Sequence, residues 1–169
     1  GRDLPTDAHL ASTSVARHDD PAIGTLVNAA HQRAGEGAPA ADLAEAMRRT
    51  VAEHIEAKDL SIGYATASEV ARTGQGDCTE HAVLLAAMLR AAEIPSRAVS
   101  GVVYVERFAG REDVFGYHMW AQAFLAGRWV DLDATLPDRP FDATHIAMRS
   151  SDLGDDVFAD LMSLAPMIG

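Results

Sequence analysis

The chain has 169 residues, of which 48% are apolar and 23% are charged, so it is long enough for one domain with a buried core. Its formal net charge of −11 would repel nucleic acid and anionic membranes. No apolar run reaches the ~20 residues that a membrane span requires. We therefore expect no nucleic-acid partner and no membrane span.

The start of the chain favours a fragment of a longer precursor. It opens Gly1-Arg2-Asp3 rather than with Met; the sequence leaves the location of the protein open, and a precursor fragment favours an extracytoplasmic one. Residues 1–20 are polar and irregular, which is typical of a tail or a linker. Residues 21–169 are predicted to form a single domain.

Four helices are predicted in the first half of the domain. The apolar spacing and the breakers place them at Pro21–Arg33, Ala41–Leu60, Thr66–Thr73 and from Cys78 to about Ala92. Thr66 or Ser68 is the expected cap of the third helix. Pro95 lies just beyond the fourth helix and cannot continue it.

The pattern then changes to strands. These are predicted at Ala98–Val105, Phe115–Leu125, Trp129–Leu132 and His145–Met148. Phe108–Val114 is predicted as a polar loop, Ala126-Gly127-Arg128 as a hairpin turn and Asp155–Leu164 as a terminal helix. Because helices come first and strands later, the predicted class is α+β, with N-terminal helices packed on a mostly antiparallel sheet.

The only cysteine, Cys78, lies in the run Gly74-Gln75-Gly76-Asp77-Cys78-Thr79-Glu80-His81. A single cysteine cannot form an internal disulfide, so it is either an inert buried thiol or a thiol kept for its reactivity. The partial positive charge at the start of a helix stabilises a thiolate. We therefore predict that Cys78 is a nucleophile with a lowered pKa.

A nucleophilic thiol needs a base, and His118 is the best candidate among the seven histidines. His81 lies on the same helix as Cys78, and parallel side chains on one helix rarely suit in-line attack on a shared substrate; its predicted role is structural. His118 instead lies in a predicted central strand, the one that leads into the hairpin turn.

The register of that hairpin selects an aspartate for His118. A turn at residues 126–127 opposes Trp120 to Asp133, so His118 and Asp133 share one face as diagonal neighbours. Asp131 has the same parity but opposes Gln122, two strand steps further along. Asp133 is therefore predicted to orient the imidazole. For the three groups to meet, the helix that follows Cys78 has to pack on this face.

Three blocks of sequence, in this order, resemble the transglutaminase-like superfamily, whose fold is related to that of papain-like cysteine proteases. The blocks are Gly76-Asp77-Cys78 opening an apolar helix, Ile94-Pro95-Ser96-Arg97 leading into a valine-rich strand, and His118-Met119-Trp120-Ala121 followed by Trp129-Val130-Asp131-Leu132-Asp133-Ala134-Thr135. The resemblance covers roughly residues 67–137. It implies a Cys-His-Asp triad at Cys78, His118 and Asp133.

Two positions depart from the pattern of that family, neither of them in the triad. Ala134 stands where the family often has Pro after the aspartate. Glu93 stands where the family usually has Gly before Ile-Pro. Glycine there serves a left-handed helix cap, so Glu93 is expected to cost ~1 kcal/mol if that geometry is kept.

Functions of different classes remain open at this stage. The favoured one is a thiol-dependent acyl-transfer enzyme that acts on amide bonds of a protein or peptide substrate, as a cysteine protease or amidase. The alternatives are a crosslinking transglutaminase and a non-catalytic binding module that keeps the fold. A zinc site is disfavoured because the chain has no HExxH and no paired Cys-x-x-Cys, and we expect no metal and no cofactor.

The oxyanion of an acyl-transfer reaction also needs donors. The backbone N–H of Cys78 is the first choice, because the amides of the first helical turn have no partner within the helix. Gln75, Tyr64 and Tyr117 are further candidates.

Overall fold

The computed structural model describes residues 3–56, 65–108, 110–139 and 141–154. Within these residues, four α-helices precede a sheet of four strands. The helices are α1 (Pro21–Ala34), α2 (Ala40–His54), α3 (Ala67–Thr73) and α4 (Cys78–Ala91). The strands are β1 (Ser96–Phe108), β2 (Arg111–Leu125), β3 (Arg128–Leu132) and β4 (His145–Ser151). The α+β prediction is confirmed.

All strand pairs of this sheet are antiparallel, in the order β3-β2-β1-β4. Leu125 pairs with Arg128 across a two-residue turn, and Ala126 and Gly127 both have the positive φ that such a turn requires. Gln122 pairs with Asp131, so the predicted hairpin register is confirmed.

The central element of the core is α4. Residues 79–90 of this helix are all buried, and it packs on the sheet and on the other three helices. A helix that is apolar all round is expected only where neighbours surround it. No helix among the described residues is both long and apolar enough to cross a membrane.

The prediction of a loop at Phe108–Val114 is wrong at both of its ends. β1 continues to Phe108 and β2 begins at Arg111, so the two strands form a long ribbon. Cross-strand pairs stabilise the polar end of this ribbon. Arg107 donates to Glu112 at 2.7 Å, and the Tyr104 hydroxyl donates to Asp113 at 2.7 Å.

The second helix ends earlier than predicted, at His54 rather than Leu60. Contacts with α3 fix this end. The His54 ring donates to the carbonyl of Val70, and the Gly74 backbone passes so close to the His54 carbonyl that a Cβ would lie 2.8 Å from its oxygen. The predicted turn at 61–64 and the predicted helix Asp155–Leu164 lie outside the described residues.

The stretch before α1 is in contact with the domain. Val15 and Ala16 are fully buried, and the carbonyl of Ala11 accepts a hydrogen bond from Arg90 in α4. Asp20 caps α1 by accepting from the N–H of Ala22. The division of the chain at residue 20 stays a prediction.

Candidate active site

The loop before α4 fixes Cys78 as the first residue of that helix. Asp77 is the N-cap, and its carboxylate accepts from the N–H of Thr79 at 2.8 Å. Glu80 completes the capping box by accepting from the N–H of Asp77 at 2.9 Å. Gly76 makes room for Glu80, because a Cβ at Gly76 would lie 2.3 Å from the Glu80 Cβ. The predicted place of Cys78 is confirmed.

The thiol of Cys78 lies against the open edge of β2. The backbone of Met119, the residue that follows His118, lies near enough to the sulfur to stabilise the thiolate form. On one side of β2, Met119 is paired with Ser100 of β1. On the other side β3 ends at Leu132, opposite Ala121, so β2 has no strand partner there at Met119. We infer that the thiol occupies this unpaired edge.

The environment of Cys78 does not lower the pKa of its thiol, so that prediction is wrong. Burial raises the pKa of Cys78 to about 12, and the carboxylates of Asp77, Glu80 and Asp133 act in the same direction. Together they outweigh the stabilising effect of the Met119 backbone on the thiolate. The resting thiol is therefore protonated at neutral pH, and a base has to take its proton during attack.

His118 and Asp133 are brought together as predicted. His118 Nε2 lies 2.7 Å from Asp133 Oδ2, and both side chains are buried. The second carboxylate oxygen, Oδ1, accepts the N–H of Thr135 at 2.8 Å. A ring nitrogen that faces a carboxylate carries the proton, so the Nε2–H tautomer is favoured and the Nδ1 lone pair is left for a base function.

Asp131, the competing aspartate, has a different role. Its Oδ1 accepts from the indole N–H of Trp120 at 2.7 Å and from the amide of Gln122 at 2.6 Å. Trp120 in turn stacks on His118, with ring centroids 6.0 Å apart. Asp131 thus fixes the aromatic ring beside His118 rather than His118 itself.

The apolar part of α4 does not cover the face of β2 that carries His118, contrary to the expectation from sequence. The core cluster that contains α4 also contains Met119, Ala121 and Ala123, whereas Trp120 is buried outside that cluster. Side chains alternate between the two faces of a strand, so His118 lies on the other face. The helix therefore approaches the site with its first residue, at the edge of β2, rather than with its flank.

Sequence reasoning missed two residues that contact Asp133. Arg48 of α2 donates to the Asp133 carbonyl at 2.9 Å and is paired with Glu45. His145, the first residue of β4, has its Nε2 3.1 Å from Asp133 Oδ2. Both contacts join distant parts of the chain, and no local sequence pattern marks them.

The acidity of Asp133 reflects these partners. Burial of its carboxyl favours the neutral form, but the hydrogen bond and charge of His118 and the hydrogen bond from His145 outweigh burial and lower the pKa to about 2. Asp133 is therefore ionised at neutral pH and can stabilise a positive charge on His118.

One group of potential metal ligands is found among the described residues. His118, Asp133 and His145 each offer a ligand atom, and these atoms all lie within 4.8 Å of one another. Two imidazoles and one carboxylate suit zinc or another divalent transition metal. In the structure the three side chains are already joined by hydrogen bonds.

Three of the remaining sequence candidates, His81, Gln75 and Tyr117, lie among the described residues. His81 is buried, and its Nδ1–H donates to the Asp77 carbonyl at 2.5 Å, which is consistent with the predicted structural role. Gln75 is exposed and Tyr117 is half-buried. Tyr64 lies outside the described residues.

Comparisons with known proteins agree with this fold. A candidate cysteine protease from Cytophaga hutchinsonii has a TM-score of 0.69 at 19% identity, over 89% of this chain and 48% of that one. The periplasmic domain of TgpA from Pseudomonas aeruginosa has a TM-score of 0.54 at 18% identity, over 80% and 49%. Its ethylmercury-bound structure has a TM-score of 0.52 at 22% identity, over 76% and 48%.

The chain thus spans about half the length of these solved chains, and at such identities the likeness shows the fold alone. No curated protein matches the chain. The family model described as the transglutaminase-like superfamily matches residues 28–134, more than half of the chain. The chain belongs to the transglutaminase-like superfamily.

Proposed function

We propose that the protein is a thiol-dependent hydrolase of amide bonds in proteins or peptides, with Cys78, His118 and Asp133 as its catalytic triad. The observation that carries this proposal is the buried His118–Asp133 hydrogen bond beside the strand edge where the Cys78 thiol lies. A thiol, an oriented imidazole and an ionised carboxylate together suit acyl transfer.

In the proposed reaction, His118 Nδ1 takes the thiol proton as the Cys78 sulfur attacks the amide carbon. The protonated imidazole is stabilised by the Asp133 carboxylate. The oxyanion of the tetrahedral intermediate accepts from the N–H of Cys78 at the start of α4. His118 then gives its proton to the leaving amine, the carbon–nitrogen bond breaks, and a thioester remains on Cys78.

The acyl acceptor decides the product. His118 takes a proton from water and the hydroxide adds to the thioester carbon. The carbon–sulfur bond then breaks, the carboxylic acid leaves, and His118 returns the proton to the Cys78 sulfur. A lysine amine in place of water would give an isopeptide crosslink from the same thioester. We favour water because Cys78 is only partly accessible, and a small acceptor reaches its thioester more readily than a lysine of a second protein.

Amine release from a panel of peptide amides, followed with and without an added primary amine, tests this proposal. Hydrolysis that is lost in Cys78→Ala and His118→Ala is the expected result. The matched control is Thr79→Ala, which alters the next side chain of α4 and should keep most activity. Incorporation of the added amine as the main product would instead identify a transglutaminase. Turnover that survives in Cys78→Ala would overturn the proposal.

A further inference from the structure

His145 lies across β1 from His118. In the antiparallel pairs of the sheet, His118 is opposite Gly101 and His145 is opposite Val103. Paired residues share a face, and Gly101 and Val103 are two positions apart on β1, so both histidines lie on the same face. Their ring centroids are 5.8 Å apart.

Gly101 makes this approach possible. A Cβ at this position would lie 2.1 Å from the carbonyl oxygen of Ile146, and the β1–β4 register shifts between Ser100 and Gly101. A side chain here would push β4 away from β1. Because Gly101 has no side chain, β4 can lie close to β1, and His145 at the start of β4 comes within reach of Asp133.

The two histidines converge on a single oxygen. Asp133 Oδ2 lies 2.7 Å from His118 Nε2 and 3.1 Å from His145 Nε2. Each nitrogen faces a carboxylate and therefore donates. With the Thr135 N–H on Oδ1, the carboxylate has three donors, so its rotation would break hydrogen bonds in a buried site.

The ring of His145 is itself held in place. Phe141 stacks on it with ring centroids 4.1 Å apart, and Trp120 meets it edge-on at 5.5 Å. Its side chain is 3% exposed. On the far side, Nδ1 lies 3.4 Å from the Thr144 hydroxyl, which can donate to it, and 4.0 Å from a carboxylate oxygen of Asp142.

We propose that His145 is a positioning residue: its Nε2–H fixes the Asp133 carboxylate oxygen that accepts from His118, and thereby fixes the tautomer and the orientation of the base. This inference deepens the proposed function and rests on it for its catalytic consequence. Its structural consequence, the tautomer of His118, does not depend on turnover.

Two variants separate the hydrogen bond from the packing. His145→Phe keeps an aromatic ring against Phe141 but has no donor, whereas His145→Gln places an amide N–H near the position of Nε2. In His145→Phe we expect kcat to fall by up to about a hundredfold with little change in KM, because the base is misplaced while the substrate contacts remain. His145→Gln should recover most of the loss.

The tautomer of His118 is read directly from the ¹⁵N shifts of its ring in histidine-labelled protein, assigned with His118→Ala. A single Nε2–H form is expected in the wild type and in His145→Gln, and a mixture of tautomers in His145→Phe. Thermal unfolding checks that both variants are folded. If His145→Phe does not fold, the tautomer of His118 in His145→Gln decides whether an N–H at this position is enough to hold it.

Wild-type kcat and an unchanged His118 tautomer in His145→Phe would overturn the inference. So would a zinc ion that co-purifies at one equivalent and whose removal by a chelator alters the His118 signals, because His145 would then be a metal ligand. If the wild type hydrolyses no amide, the proposed function fails, and the ring shifts still decide whether His145 positions Asp133.

Discussion

Asp133 accepts hydrogen bonds from three residues through its carboxylate and from Arg48 through its carbonyl. It follows the last residue of β3, at the point where β2 loses its strand partner. Its charge is therefore fixed beside the strand edge where the thiol lies. At the residue scale, the site depends most on this carboxylate.

Asp133→Asn should therefore be far more damaging than Asp131→Asn. An asparagine amide in contact with Nε2 favours the other tautomer of His118, so we expect kcat/KM to fall roughly 10³- to 10⁴-fold while the protein stays folded. Asp131→Asn alters only the support of Trp120 and Gln122 and should be much milder. Steady-state kinetics on one peptide amide compares the two, and a larger loss in Asp131→Asn would contradict the assignment.

The pKa of Asp133 also predicts how stability depends on pH. Because the pKa falls from 3.8 to about 2 on folding, the ionised carboxylate stabilises the folded state by about 2 kcal/mol above pH 4. That contribution is lost as the pH falls toward 2. Urea unfolding at a series of pH values should show this loss in the wild type and a shallower slope in Asp133→Asn. Equal slopes would contradict the assigned pKa.

The sequence predicts Cys78, His118 and Asp133 because local signals mark each of them: a helix start, a central strand and a hairpin register. It does not predict Arg48 or His145, since their contacts with Asp133 depend on how α2 and β4 pack. The pKa of Cys78 was predicted in the wrong direction for a related reason. The helix start and the neighbouring carboxylates of Asp77 and Glu80 are visible in the sequence, whereas the burial that raises the pKa most comes from tertiary structure.

At the scale of the element, α4 ends in a cap that normally contains glycine. The N–H of Ile94 donates to the Leu89 carbonyl and the N–H of Glu93 donates to the Arg90 carbonyl, which is the Schellman pattern. Glu93 has φ 59°, in the left-handed region. The strain expected from the sequence at this position is therefore present.

Glu93→Gly should stabilise the protein. Relief of the left-handed strain outweighs the extra freedom of the unfolded chain, so we expect a gain of about 0.5–1 kcal/mol and a Tm increase of roughly 1–4 °C. Calorimetry measures both. Ala91→Gly, two residues earlier in α4, is the control and should destabilise by about 1 kcal/mol. A lower Tm in Glu93→Gly would show that this side chain has a stabilising role.

The extents of the elements were predicted best where local chemistry ends them. Thr66 caps α3 and the turn at 126–127 ends β2, and both lie at the predicted positions. The end of α2 was missed because a contact with α3 sets it. The β1–β2 ribbon was missed because its end is polar on both faces, and cross-strand pairs rather than an alternating apolar pattern extend it.

At the scale of the whole molecule, Arg90 joins three regions. Its guanidinium, almost fully buried, donates to the carbonyls of Ala11, Ser96 and Asp152. Burial lowers the pKa of Arg90 to about 10, so the side chain is still charged at neutral pH. The sequence does not mark this residue, because its position near the end of α4 is typical of an arginine that only faces solvent.

Replacement of Arg90 should destabilise the whole domain. In Arg90→Met the carbonyls of Ala11, Ser96 and Asp152 lose a charged donor, and we expect a loss of roughly 3 kcal/mol or more in the free energy of unfolding. Arg107→Met removes an exposed arginine from the β1–β2 ribbon and should cost less than 1 kcal/mol. Urea unfolding of both variants makes the comparison, and equal costs would contradict a central role for Arg90.

The partners of Arg90 lie far apart along the chain: 79 positions separate it from Ala11 and 62 from Asp152. Contacts across such distances require closure of long loops, and we expect them to form late in folding. If the segment at Ala11 or the segment at Asp152 detaches, the other loses a neighbour at the same guanidinium. Amide hydrogen exchange near residues 11 and 152 should then report one shared opening, with equal free energies, rather than two independent openings.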